Sequence, residues 1–396
     1  MHPSAHNWRE SNTQWQKEKQ RQFWCRGCSD FVWESERDTP AKFGSYLSIS
    51  EPQRPILVAE VRGGGNLRRM SRKQFVHSYD DIISPENLLA AWREFFRGKT
   101  KKPDVQLFGY RLADNVRSLH EDLRNRTYRH GEYLAFNISD PKPRNIHKAS
   151  VCDRLLHHAV YRMLYPFFDT TFIADSFSCR RGKGTHRALD RLRHFARQVS
   201  CNHTRTVWVL KGDIRKFFAS IDHKILIDIL VQYIPDQNII WLLRNIVESF
   251  TSTGVGKGLP LGNLTSQLLV NIYMDEFDQF VKHQLKIKHY IRYADDFVVL
   301  SDNKVWLEQI LFEIQNYLKV VLKLELHPNK VSISTMASGI DFLGWVHFPY
   351  HRQIRTTTKR RTIRKLAKNP KQEVVASYTG LLKHGDTYHL RRRVGV

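Results

Sequence analysis

The stretch Tyr293-Ala294-Asp295-Asp296 constrains this chain more than any other. Tyr290 and Ile291 precede it, and Phe297, Val298, Val299 and Leu300 follow it. Two apolar runs with so short a break predict two strands joined by a tight turn, and that turn carries adjacent carboxylates. Like charges placed this way repel and call for a compensating cation. Carboxylate oxygens suit Mg²⁺, which keeps several waters and shares its shell with substrate phosphates. Taken alone, the pair reads equally well as an acidic hairpin tip in solvent. A third carboxylate alters the balance. Thr206-Val-Trp-Val-Leu-Lys-Gly-Asp213 alternates and is β-branched, so it predicts a strand ending on Asp213. Two ions roughly 3.5–4 Å apart can stabilise the attacking and the leaving oxygen of a phosphoryl transfer together.

An Asp closing one strand beside an Asp pair on a neighbouring hairpin resembles the palm of a reverse transcriptase. The resemblance runs from about Ser84 to the C-terminus. It implies an α/β chain with a right-hand polymerase fold of fingers, palm and thumb: a small antiparallel palm sheet packed on helices, plus a basic helical thumb. Residues 81–205 would form the fingers with N-terminal helices. Residues 206–350 would form the palm with inserted helices over 223–250, and residues 351–396 the thumb. The implied chemistry has Asp213 and Asp295 binding two Mg²⁺ ions, with Mn²⁺ as a substitute. Asp296 and the backbone carbonyl of Ile214 would help, while the primer 3′-oxygen attacks the α-phosphate and pyrophosphate leaves.

Other motifs take roles from the same resemblance. Ser84 and Pro85 open a helix through Phe96 by N-cap and first-turn chemistry. Arg144, on a fingers strand after the breaker Asp140-Pro-Lys-Pro, would contact the triphosphate, for which a planar guanidinium is suited. The loop Asp175–His186 bears Gly182 and Gly184 among Arg180, Arg181 and Lys183, and Arg181 and Lys183 would hold the template. Phe218 would stand below the sugar and exclude a 2′-hydroxyl. Lys330 would lie near the incoming phosphate, and Phe342, Leu343, Gly344 and Trp345 would form a primer-holding hairpin.

The stretch Gly258-Leu-Pro-Leu261-Gly262-Asn-Leu-Thr-Ser266-Gln267 refines the resemblance. Gly262 lets backbone approach the nascent base pair. Leu261 stands where retroviral and group II intron enzymes have Gln, and Ser266-Gln267 where they have Ser-Pro. Both departures match reverse transcriptases of diversity-generating retroelements, as do the Ser84–Phe96 opening, Asp140–Arg154 and Ser377–Gly385. Leu261 and Gly262 would meet the nucleotide, and Ser266 and Gln267 the template–primer. Such enzymes copy a template-repeat RNA into cDNA with errors at adenines, assisted by a small basic accessory protein. The alternatives are a group II intron-like or defence-associated reverse transcriptase, or an RNA-binding splicing factor with a vestigial site.

Charge agrees with a polyanionic partner: 63 Lys and Arg against 39 Asp and Glu give +24. Counterion release on nucleic acid is the usual driver of such a charge excess, and the resemblance implies template RNA and a cDNA/RNA duplex as partners alongside dNTPs. The C-terminal segment His351–Val396 holds thirteen of those cations against Glu373 and Asp386. No apolar run approaches 18 residues and no secretory signal opens the chain, which predicts a cytoplasmic protein without a membrane partner; the resemblance implies that it is bacterial, archaeal or phage-encoded. Five scattered cysteines fit reduced thiols. Residues 1–80 lack a sustained period and read as a flexible extension, so a protein starting at Met70 is expected to fold and polymerise. Cys25 and Cys28 supply only half a zinc site.

Overall fold

Helices begin where the sequence supplies caps. A computed structural model describes residues 73–139, 143–252, 254–368 and 371–394; Cys25, Cys28 and the breaker at Asp140 lie outside them. Ser78 accepts from the Asp81 N–H while Asp81 accepts in return, a capping box that opens α1 (Tyr79–Ile83). Ser84 caps α2 (Pro85–Phe96), with Pro85 in its first turn. Then follow α3 (Pro103–Tyr110) and α4 (Leu112–Arg124). Strands β1 (Leu134–Ile138) and β2 (Arg144–Lys148) form an antiparallel ribbon before α5 (Val151–Asp169).

Residues 73–80 fall in the stretch that the sequence assigns to a flexible extension, and there the expectation is too broad. Phe75 and Tyr79 are buried, the Phe75 N–H donates to the Tyr233 carbonyl at 2.8 Å, and the Tyr79 hydroxyl donates to the Leu123 carbonyl. Aromatic burial at two positions suffices to fix a segment too short to show a period.

After α6 (Thr185–Val199) come β3 (Trp208–Asp213) and α7 (Phe217–Ser220), which open the stretch expected to form the palm. Helices α8 (His223–Val231), α9 (Gln237–Glu248) and α10 (Leu264–Gln279) precede β4 (Tyr290–Tyr293) and β5 (Asp296–Ser301). Helix α11 (Lys304–Val320) and β6 (Ser332–Thr335) complete a four-stranded antiparallel sheet of order β4-β5-β3-β6.

Both faces of this sheet are covered, and the alternation of side chains divides its residues between two cores. Leu210, Phe297, Val299 and Tyr290 join the larger core with Tyr273 and Phe277 of α10. Val209, Val298, Leu300 and Ile291 join a second core with Leu189, Leu192 and Phe195 of α6. A one-residue slip would exchange every one of these positions, so register is strongly fixed. Gly212 pairs with Phe297, and a Cβ there would lie 2.3 Å from that ring.

Strands β7 (Ile340–Phe342), β8 (Trp345–His347) and β9 (Arg352–Ile354) form a separate antiparallel sheet. Pairing of β9 with β8 draws residues 352–354 out of the helical segment expected from 351 onward. The C-terminal helices are α12 (Thr356–Lys368), α13 (Gln372–Leu382) and α14 (Tyr388–Val394). Leu382 and Leu390 anchor them in the second core. On α12, Thr358, Thr362 and Leu366 face inward, leaving Lys359, Arg360, Arg364 and Lys368 exposed. Among the described residues no helix is long and apolar enough to cross a membrane.

Candidate active site

Register brings the three carboxylates together. Asp213 closes β3 directly opposite Asp296, the first residue of β5, and Tyr293 pairs with Asp296 across a two-residue turn. That turn is Ala294-Asp295, with Ala294 in the left-handed region at φ +55°. The Ile214 N–H donates to the Asp295 carbonyl at 3.3 Å, so the end of β3 is tied to the turn. Ile214 itself is buried.

Electrostatics at this corner are unfavourable to anions. Asp296 is 4% exposed and its Oδ1 has no hydrogen-bond partner. Burial drives its carboxyl well above the usual range, Asp295 and Asp213 add to the effect, and Lys211 opposes it. Asp295 is half-buried; burial and then the neighbouring Asp213 push it up to about 6, against Lys330 and Arg144. Carboxyls held above their ordinary range, one with an orphaned buried oxygen, fit a divalent cation as the missing partner. Among the described residues no three His, Cys, Asp or Glu side chains converge as in a closed metal centre. An ion sharing its shell with water and phosphates needs fewer protein ligands.

Around the carboxylates, the other predicted residues divide. Lys330, on a 3₁₀ turn (Pro328–Lys330), places Nζ 3.1 Å from Asp213 Oδ1, so it pairs with a carboxylate at the position expected to face phosphate. Arg144 at the start of β2 is near enough to lower the Asp295 carboxyl. Leu261 lies against the same ribbon, its carbonyl accepting from the His147 N–H at 3.2 Å. Gly262 has φ +106°, and a Cβ there would sit 3.1 Å from Ile146. Phe218 is half-buried, with its carbonyl accepting from the Leu259 N–H at 2.8 Å.

In the basic loop, Arg181 is exposed, with its guanidinium over the Tyr165 ring, and Lys183 donates to the Ala174 carbonyl at 2.7 Å. Arg180 is locked on Asp169 and three carbonyls, so it shapes the loop. Ser266 is buried in the first turns of α10, while Gln267 is half-buried. The side chains of Phe342, Leu343 and Trp345 are buried in the second core, with Leu343 and Gly344 both at positive φ in the β7–β8 turn. Their side chains fill the hairpin from within.

Two residues with no role in the sequence reading also lie here. Lys211 shares a sheet face with Asp213 and donates to the Asp341 carbonyl at 2.7 Å. Arg292 on β4 is 1% exposed. Its signal was available, since a cation in step with Tyr290 on an otherwise apolar strand requires a buried partner.

Comparison with known proteins gives a family. A family model described as reverse transcriptase (RNA-dependent DNA polymerase) matches residues 139–347, more than half of the chain. Protein YkfC of Escherichia coli (strain K12) is 26% identical over 314 residues, covering 69% of this chain and 80% of that protein. The group II intron-encoded protein LtrA of Lactococcus lactis subsp. cremoris is 23% identical over 247 residues, covering 59% of this chain and 40% of LtrA. Apo telomerase from Candida tropicalis aligns with TM-score 0.43 and 11% identity, over 60% of this chain and 59% of that one.

Proposed function

This chain belongs to the reverse transcriptase (RNA-dependent DNA polymerase) family, and from that premise we propose that it extends primers on an RNA template at Asp213, Asp295 and Asp296. The observation that carries this reading is the corner itself: Asp213 facing Asp296 across β3–β5, with Asp295 on the adjoining turn. Two divalent cations, Mg²⁺ or Mn²⁺, would be held by Asp213 and Asp295 with help from Asp296 and the Ile214 carbonyl. When bound they supply Lewis acidity and charge compensation. Arg144 and Lys330 orient the triphosphate; Lys330 exchanges its Asp213 partner for phosphate oxygen. Phe218 occupies the space below the sugar, and Leu261-Gly262 brings backbone to the nascent pair. The basic loop, with Arg181 and Lys183, and the exposed face of α12 hold template and duplex. Asp213→Asn and Asp295→Asn proteins are expected to lose primer extension by at least about a thousandfold while RNA affinity stays within a few-fold. Extension retained by the Asp295→Asn protein would remove this corner from the chemistry.

A finer reading rests on Leu261 and Ser266-Gln267. The side chain of Leu261 donates no hydrogen bond, so the site judges a base pair by shape and template pairing. This supports error-prone copying; the adenine bias, the template-repeat RNA for gene diversification and the small basic accessory protein rest on the resemblance of Leu261 and Ser266-Gln267 to diversity-generating retroelement enzymes. The LtrA similarity favours the alternative of an ordinary group II intron-like enzyme. Sequencing cDNA made from a base-balanced RNA separates them. Excess errors at adenine that fall in Leu261→Gln support diversification, and uniformly low errors support the alternative.

A further inference from the structure

We propose that Arg292 is a positioning residue that locks the turn bearing Asp295 to the basic loop at 175–184, so that the two move as one. This rests on the reading of Asp295 as a catalytic carboxylate.

The backbone of Arg292 is the first part of the lock. Strand β4 is an edge of the palm sheet, and its free side is covered by residues 175–177. The Arg292 N–H donates to the Asp175 carbonyl at 3.0 Å, and its own carbonyl accepts from the Phe177 N–H at 3.0 Å. The Phe177 carbonyl then accepts from the Gly184 N–H at 3.1 Å, closing the loop that carries Arg181 and Lys183.

Its side chain is the second part. Nε and one terminal nitrogen grip both oxygens of Asp278 on α10, at 2.8 and 2.7 Å. The same terminal nitrogen donates to the Ser176 hydroxyl at 3.1 Å. The other donates to Asn271 Oδ1 at 3.3 Å and to the Ala294 carbonyl at 3.1 Å. A guanidinium offers five N–H donors, and each has an acceptor here. Three separate segments therefore meet on one planar group: the basic loop, helix α10 that follows Gly262, and the catalytic turn.

The need for such a lock is visible at Ala294. A residue with a Cβ resists the left-handed region, so the bonds made to the turn must hold it there. The bond from Arg292 to the Ala294 carbonyl opposes relaxation of the turn, and relaxation would displace Asp295 from Asp213. Any buried guanidinium needs acceptors for all its donors; what ties this one to the turn is that one of them is the Ala294 carbonyl and another the Ser176 hydroxyl of the basic loop. Lysine preserves the charge facing Asp278 and loses the fork, which makes it the informative replacement.

The test uses the full chain as Arg292→Lys, Ser176→Ala, Asp295→Asn and the double variant Arg292→Lys/Ala294→Gly. Hydrogen exchange in Arg292→Lys should rise by about tenfold or more over both 175–184 and 293–297, with α2 and α5 unchanged. Its kcat should fall about 10–100-fold, with KM for dNTP within about threefold of the parent. Glycine adopts positive φ freely, so the double variant should regain a substantial part of the lost kcat. Unchanged exchange over 293–297, a parental kcat in folded Arg292→Lys, or no recovery in the double variant would each overturn the proposal. If Arg292→Lys does not fold, Ser176→Ala, which keeps the Asp278 pair, should raise exchange over 293–297, and unchanged exchange there would overturn the proposal. Extension retained by Asp295→Asn would defeat the reading of the site, and the exchange measurements would still decide the linkage.

Discussion

At the end of the palm sheet three carboxylates crowd a corner where burial disfavours the charge of Asp295 and Asp296; along α12 a row of cations faces open solvent. The palm corner holds Asp296 with an unpartnered buried oxygen and Asp295 pushed up to about 6. Lys359, Arg360, Arg364 and Lys368 are exposed beside an inward row of Thr358, Thr362 and Leu366. The two regions use charge in opposite ways. Anions fixed by a sheet cannot relax away from each other, so the corner carries an electrostatic cost that a bound cation relieves. Cations on a solvated helix face cost little and act only when a polyanion arrives. Net charge therefore predicts a partner, while the chemistry we propose lies where charge is locally of the other sign.

The contrast breaks most visibly in binding. Replacing Lys359, Arg360, Arg364 and Lys368 together with Gln should weaken RNA binding by about 10²–10³ near 0.15 M salt and flatten the log–log salt slope by up to about 3. Turnover at saturating RNA should be unchanged, as measured by titration and single-turnover extension. A fall in turnover would mean that α12 acts at the corner as well.

Geometry at the corner gives the next effect. Gly212→Ala forces a Cβ into the Phe297 ring at the pair preceding Asp213–Asp296. Such overpacking should cost about 1–3 kcal/mol or more in urea denaturation, with activity lost before the fold. An unperturbed midpoint would show that the ring can yield.

The smallest effect is a gain. Asp295 holds its proton more tightly folded than unfolded, so between about pH 4 and 6 the folded state binds more protons. Stability therefore falls as pH rises through that window, and the cost is complete by pH 7. With chelator present, Asp295→Asn should be more stable than the parent by on the order of 1–2 kcal/mol at pH 7.5. That advantage should vanish near pH 4, read by thermal melts. A pH-independent difference would place the cause in packing.

How much of this was legible beforehand follows the range of the interactions. Alternation around Asp213 and Tyr290–Leu300 shows the strands, and Ser84 with Pro85 shows the start of α2, because both signals are local. Pro103 at the start of α3 is an equally local signal. Long-range partners were not legible. Nothing near Arg180 in sequence distinguishes a cation locked on Asp169 from the exposed Arg181 one residue later. Lys330 meets Asp213 only through the pairing that brings Leu326 against Ile214. The hairpin residues Phe342, Leu343 and Trp345 read as a motif, yet their burial depends on α6 and α13, which pattern alone does not place.

The pairing of β3 with β5 also has a consequence in time. Asp213 leaves the ribosome about 80 residues ahead of Asp296, and at 5–20 residues per second that interval is roughly 4–16 s. For those seconds an apolar strand with a bare glycine has neither neighbour, since β6 emerges later still. Sequence-distant pairing of this kind is slow and exposes sticky surface meanwhile. Overexpression yield should therefore depend on translation speed and chaperone supply more than on the stability of the finished palm.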